Sequence, residues 1–396
     1  MAIVRGTKRR RVMGTAGIYL LLTAVATAML FPFLFVVGSS VKSRTDIFTY
    51  PPRVLPREQQ TVVVGGQPVS AFTIDGQVRG LVGEVRVGTY EYLDEPGRTT
   101  QLPRADLSPH PDARTVPYGG DTADVLIATI DGREVEVVEV SRTVLAVFAD
   151  PANPDDVVLA NERTAAAVEK VDPRTENFSE VLELQTLDRS LTNTALVTLL
   201  VVLGTVVTSI LGGYAFARID FPGRDAMFLV YLGSIMVPFV ILIIPLYQLM
   251  VALGWVDSLA ALVFPFFFNA YGTFLIRQFF VTIPYELEEA AVVDGASRWT
   301  ILWRIYVPLA APAIATLSTF MFLHAWNSFV WPFVVINAGN TDNHVLTLSL
   351  QVLGGRAADT PNLIYAGVMI AIAVPVTVFI LAQRYFVENV ATSGLK

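Results

Sequence analysis

Six long uncharged stretches interrupt the chain, at about 14–38, 193–216, 226–250, 258–276, 309–336 and 362–382. Each holds about 20 residues or more. A helix rises ~1.5 Å per residue, so such a run can cross a hydrocarbon core ~30 Å thick. The pattern predicts six membrane-spanning helices. Residues 226–276 carry a single charge, Asp257, beside Gly254 and Trp255, which predicts a tight turn between helices three and four. Between the first two runs the period changes. Residues 57–148 alternate Val, Ile and Thr with polar side chains, as in EVRVGTYEY (84–92) and REVEVVEV (133–140), the period-two pattern of strands. Asp75-Gly76 and Asp131-Gly132 each follow Thr-Ile and read as hairpin turns, because Gly accepts positive φ. The repeated TIDG is either a duplication or chance. Residues 100–122 read as an irregular loop, and 161–170 (NERTAAAVEK) as a short helix-like centre.

Composition sharpens this division. Charged residues are 16% of the chain, against about 25% in soluble domains. Residues 45–190 nevertheless hold 25 of the 35 acidic residues and 13 of the 28 basic ones. An acidic, soluble block therefore sits inside a hydrophobic, mildly basic chain. The implied divisions are 1–44 (N-terminus and first helix), 45–188 (acidic β-rich insertion) and 189–396 (helices two to six, with a special segment at 284–304). With no cysteine, disulfides, Cys-zinc sites, iron–sulfur clusters and thiol nucleophiles are excluded. No metal-ligand pattern occurs, and His110 reads as a lone solvated side chain.

The first stretch follows Arg5, Lys8, Arg9, Arg10 and Arg11, as a signal peptide would. Its apolar run exceeds the 7–15 residues of a signal core and lacks a small-residue cleavage site, which favours a retained anchor. Basic residues mark the cytoplasmic side. The N-terminus, the loop with Arg218 and Arg224, the segment 277–304 and the C-terminus are then cytoplasmic, while the Asp257 turn and the acidic block lie outside.

The segment IPYELEEAAVVDGASRWTILWRIYVPLAAPAI (283–314) stands apart. Pro284 suits a helix start, and Glu286, Glu288 and Glu289 suit the positive end of its dipole. Gly295 permits a stop, Ser297 can cap a second helix, and Pro308 and Pro312 mark entry into span five. The physical reading is a short helix pair under the membrane; an ordinary amphipathic interfacial helix is the plainer alternative.

This segment resembles a motif of binding-protein-dependent ABC importer permeases: Glu-Ala-Ala, three residues, Gly, nine residues, Ile, one residue, Leu-Pro. Here it is Glu289-Ala290-Ala291, Gly295, Ile305 and Val307-Pro308, with Val in place of Leu. Asp294-Gly295-Ala296 resembles the carbohydrate branch. The stretches 31–48, 193–225 and 326–333 resemble its first, second and fifth spans, and 382–396 resembles the tail of the smaller permease of maltose transporters. The resemblance implies an all-α membrane protein of the type I ABC importer permease kind, with a β-rich extracytoplasmic insertion between helices 1 and 2. It also implies a sugar-importing, non-catalytic subunit of the bacterial cytoplasmic membrane.

The implied partners are a second permease, an ATPase dimer, an extracytoplasmic sugar-binding protein and lipid, without nucleic acid. ATP and Mg belong to the ATPase, and this chain binds no cofactor; it has no Gly-Lys pair and so no P-loop. Glu289, Ala290, Ala291, Asp294, Gly295, Ile305 and Pro308 are the implied ATPase-coupling residues. Asn269, His324, Trp326 and Asn327 are polar or amphipathic side chains within spans; they either line a sugar path or join helices. The identity of the sugar stays open between di- and oligosaccharides and glycerol phosphate diesters. The lack of an intramembrane cation cluster favours neutral sugars. Two other readings compete. A secondary carrier needs ion-coupled charges within spans, where His324 alone is ionisable. A membrane-anchored sensory protein leaves the Glu-Ala-Ala motif unexplained.

Overall fold

The computed structural model describes residues 2–119, 121–130, 132–355 and 360–393, and side chains from 15 onward except at 121, 185 and 384–393. The basic side chains at 5–11, Asp131 of the second TIDG turn, and the last residues of the tail lie outside the described residues. The chain divides into a helical unit, 1–56 with 173–396, and a β unit, 57–172.

In the helical unit four helices are long and apolar enough to cross a membrane: Thr15–Ser40, Leu187–Arg218, Leu259–Thr282 and Pro361–Gln383. Two further pairs qualify only when joined: Arg224–Met236 with Phe239–Leu253, bent by 101°, and Arg298–Leu309 with Ala311–Trp326, bent by 78°. Proline accounts for both bends. Pro238 interrupts the first, and Pro308 and Pro312 flank the second, each removing an N–H from the helical ladder. The apolar run 309–336 is consequently not one helix: it bends near Ala310, and a second break separates Trp326 from the short helix Val330–Val335.

The helices Leu187–Arg218 and Ala270–Thr282 approach closely because small residues face each other. A Cβ placed on Gly213 would lie 2.8 Å from Ile276 Cγ2 and 3.1 Å from the Arg277 backbone nitrogen. One placed on Gly272 would overlap Ser209 Oγ. Close approach through small residues is the usual basis of helix packing in lipid, where no hydrophobic effect drives it. Around this seam Ile210, Tyr214, Ile276, Phe280, Ile301 and Tyr306 form a buried core.

Two polar ties hold the connecting segments. Gly254, at φ +68°, ends the helix Phe239–Leu253, and Asp257 turns the chain at φ +61°. The Asp257 carboxylate accepts from Asn337 N (3.0 Å) and Asn340 Nδ2 (2.8 Å), and its carbonyl accepts from Asn343 Nδ2 (2.6 Å). Elsewhere the buried Asn177 donates to the carbonyls of Ser40 and Lys42, both at 2.9 Å, and Arg174 N bonds Val41 O at 2.8 Å. The helical unit thus ties residue 41 to residue 174.

The β unit is antiparallel throughout. Its spine is the pair Gln77–Tyr92 and Arg133–Ala149, flanked by Gln67–Ile74 on one side and Asp121–Ile130 on the other. Asp75 (φ +51°) and Gly76 (φ +80°) close the first TIDG hairpin, with Ile74 opposite Gln77. In the next strand pair Ile130 lies opposite Arg133. Two small cores form, around Phe72 and Phe148 and around Tyr90 and Val137. A charged cleft of about 870 Å³ is lined by Glu84, Arg86, Arg104, Glu139, Arg142 and Arg163, among others. The first strand, Arg57–Gln59, pairs with the last, Glu169–Val171.

Three expectations fail here. Residues 100–122 are not an irregular loop: Thr99–Pro103, Leu107–Pro109 and Thr115–Tyr118 are short strands. Their prolines occupy peripheral positions where a missing N–H costs little. Residues 161–170 are not helical. Asn161 caps a turn through Arg163 N (3.0 Å), and Glu169–Val171 pairs with the entry strand; so short a segment gains little as an isolated helix. His110 is not alone: its Nε2 lies 3.3 Å from Glu136 Oε1, since strand pairing brings the two together.

Candidate functional site

The helix Tyr285–Val293 starts after Pro284, whose extended backbone sets the entry, with Glu286 and Glu288 in the first turn. It stops because Gly295 adopts φ +80°, and its N–H and that of Ala296 return to Val292 O and Ala291 O. Ser297 then caps the second helix, accepting from Thr300 N at 3.2 Å. The result is two short helices joined at a glycine corner. Leu302–Tyr306 continues as a π-helix, a form common at functional sites.

The outward face of this pair presents Glu289, Ala290, Asp294 and Gly295. Val292 (57% exposed), Val293 (87%) and Trp299 (63%) extend it with apolar surface. An exposed apolar patch rimmed by carboxylates is the composition of a protein contact. Ala291 and Ile305 do not join that surface; both pack against the core. Pro308 lies exposed near the 78° bend.

The opposite face is anchored by residues whose pattern along the chain signals no such role. Glu288 is 5% exposed, and its Oε2 accepts from the fully buried Tyr306 hydroxyl at 2.7 Å. Tyr214 packs against Tyr306, ring centroids 5.2 Å apart. Arg218 lies over the rings of Tyr285 and Tyr306 and donates to the carbonyls of Phe280 (2.6 Å) and Ile283. These carbonyls close the end of the helix Ala270–Thr282, where basic side chains commonly bind; that of Phe280 also accepts from Ile283 N at 3.2 Å.

The four intramembrane candidates are not brought together as one open site. Asn269 caps the helix Ala270–Thr282, accepting from Gly272 N at 2.9 Å. Trp326 is buried, donates from Nε1 to Ala371 O at 3.0 Å and stacks on Phe322. Asn327 donates to Leu323 O at 2.8 Å, closing a helix end. His324, exposed, lines a cavity with Phe266, Trp326 and Trp331 whose volume is about 20 Å³, near the size of one water. A sugar ring does not fit it.

Residues 204–392 match the model of the binding-protein-dependent transport system inner membrane component family. The arabinooligosaccharides transport system permease protein of Halalkalibacterium halodurans is 33% identical over 204 residues, covering 52% of this chain and 72% of that protein. The sn-glycerol-3-phosphate transport system permease protein of Rhizobium meliloti is 35% identical over 221 residues, covering 54% and 78%. A bacterial ABC transporter involved in the import of the acidic polysaccharide alginate aligns at a TM-score of 0.49 and 25% identity, over 55% of this chain and 81% of that one. The two relatives share the permease role and neither is an enzyme. With its apolar helices and β-rich insertion, the chain belongs to the binding-protein-dependent inner-membrane permeases of ABC importers.

Proposed function

We propose that this chain is one of two permease subunits of an ATP-driven sugar importer, coupled to a separate ATPase dimer through residues 284–304. The observation that carries the reading is the glycine-cornered helix pair, with Glu289, Ala290 and Asp294 exposed beside Val292, Val293 and Trp299. Glu289 accepts hydrogen bonds from the ATPase, and the small Ala290 and Gly295 allow close approach. Ile305 and Pro308 set the angle at which the pair leaves span five. ATP and Mg act in the ATPase. Its closure moves the docked pair and switches the spans between inward- and outward-facing states.

Each bent pair counts as one span in this reading. The chain then crosses the membrane six times with both termini cytoplasmic, in accord with the basic N-terminus and with Arg277, Arg298 and Arg304 in the segment 277–304. The substrate class is a neutral di- or oligosaccharide. The six uncharged stretches hold no Lys or Arg, which disfavours a phosphate. The small volume of the cavity at His324 supports assigning most sugar contacts to the second permease, with Asn269, His324, Trp326 and Asn327 serving as wall. The β unit docks the sugar-binding protein, for which its charged cleft offers a polar surface.

The test is co-purification from native membranes, with ATPase activity measured with and without sugar-loaded binding proteins. Recovery of a second permease and an ATPase pair with stimulated hydrolysis is expected, and its loss in Glu289→Lys or Gly295→Asp. Intact assembly and transport in those variants refute the coupling role. Stimulation unchanged after deletion of 57–172 refutes the docking role of the β unit.

A further inference from the structure

The anchored face of the helix pair contains an imbalance. Glu288 is a buried carboxylate, and among the described residues its side chain has one hydrogen bond, from Tyr306, and no ion pair within 4.0 Å. A buried charge held by one neutral donor is poorly satisfied. Beside it are donors in surplus. Five buried side-chain polar atoms lack a partner among the described residues, and three are Tyr214 Oη, Arg218 Nε and Trp303 Nε1. Tyr214 and Arg218 both contact Tyr306. An under-satisfied acceptor and idle donors thus share one buried cluster.

The donors belong to different elements. Tyr306 sits in the π-helix that leads into span five. Tyr214 and Arg218 lie on the last turns of the helix Leu187–Arg218, and Arg218 also holds the end of the helix Ala270–Thr282. Glu288 rides on the docking helix itself.

We infer that Glu288 is a partner-exchanging latch: its carboxylate is held by Tyr306 in this state and passes to Tyr214 and Arg218 when the docking helix is displaced. The exchange keeps the buried charge hydrogen-bonded in both states and disfavours positions between them. A small displacement of the docking helix then becomes a discrete switch of the spans. Glu288, Tyr306, Tyr214 and Arg218 are positioning residues, since none touches sugar or nucleotide. The inference rests on the reading of 284–304 as the ATPase-docking segment.

Tyr214→Phe is the decisive variant. Its hydroxyl faces the Glu288 carboxylate but completes no hydrogen bond in this state, so its removal takes none from this fold. The full importer, reconstituted in vesicles, is assayed for sugar imported per ATP hydrolysed, and for ATPase subunit retained on purification. In Tyr214→Phe and in Tyr306→Phe the ATPase subunit stays bound, while sugar imported per ATP falls about tenfold, the scale of one lost hydrogen bond to a charged group. The double variant is no worse than about the worse single one, because both interrupt one exchange. Glu288→Gln, which keeps an acceptor oxygen, retains more coupling than Glu288→Ala. A wild-type ratio in Tyr214→Phe overturns the exchange. So does a parallel loss of assembly, hydrolysis and import, which marks a purely structural role. Glu289→Lys separates the two ideas: an ATPase subunit still bound in that variant refutes the docking reading, and the ratio in Tyr214→Phe still decides the latch.

Discussion

Replacing Gly213 by Ala, with Gly17→Ala as its control, isolates the close contact between the second and fourth apolar helices. Both glycines lie inside helices, so both replacements gain about 1 kcal/mol of helix propensity. Their surroundings differ. A Cβ on Gly17 meets nothing within 4 Å; a Cβ on Gly213 meets Ile276 Cγ2 at 2.8 Å and the Arg277 backbone nitrogen at 3.1 Å. Rotation of Ile276 relieves the first contact. It does nothing for the second, so the helices must separate by a few tenths of an ångström. Overpacking of this kind costs about 1–3 kcal/mol. Propensity cancels in the comparison, and Gly213→Ala should be less stable than Gly17→Ala by that amount. Denaturant titration in mixed detergent micelles reads the difference directly. Equal shifts of the same sign in the two variants refute the close contact as a source of stability.

Two further outcomes follow from polar ties. In the β unit, the Tyr118 hydroxyl and then Gly97 N (2.6 Å) hold the Glu91 carboxyl below the usual carboxylate range. This stabilisation is complete above the unfolded value of about 4.3 and is lost as pH falls through the lower folded value. Tyr118→Phe should therefore speed hydrogen exchange in Thr115–Tyr118 at pH 7, with the difference vanishing in strong acid; a difference independent of pH contradicts it. Asp257→Ala removes the acceptor for Asn337 N and Asn340 and places Ala, which tolerates the left-handed backbone less well than Asp, at φ +61°, together about 2 kcal/mol or more. Limited proteolysis should then cut 337–343 about tenfold faster, and an unchanged rate shows that the carboxylate does not hold the loop.

What the sequence disclosed depended on the range of the signal. Apolar runs and period-two alternation are local, and they placed the helices and the β spine near their observed ranges. The Gly295 corner and Ser297 cap were equally legible, because φ preference and capping act over three or four residues. Glu288 was read only as a partner for the helix dipole. Its bond to Tyr306 spans 18 residues around that corner, and a tyrosine inside an apolar run advertises no hydrogen bond. Arg218 looked like a loop charge for the same reason. Asn269 shows the opposite balance. An Asn can also cap a helix that begins within an apolar run, and that plainer reading accounts for its observed contact with Gly272 N.

The paired ends of the β unit bear on how such a chain could arise. Arg57 faces Val171 across an antiparallel ladder, where opposite Cα atoms are ~5 Å apart, and the helical unit makes its own tie between residues 41 and 174. Each unit closes on itself, so a gene fragment encoding 57–172 has adjacent termini and can enter or leave a loop as a cassette. A single recombination event would add it without stretching the host. The same geometry makes the segment portable: grafted into the corresponding loop of an insertion-free permease, it offers a route to transplanting a whole outer domain with two junctions and no redesign of the spans.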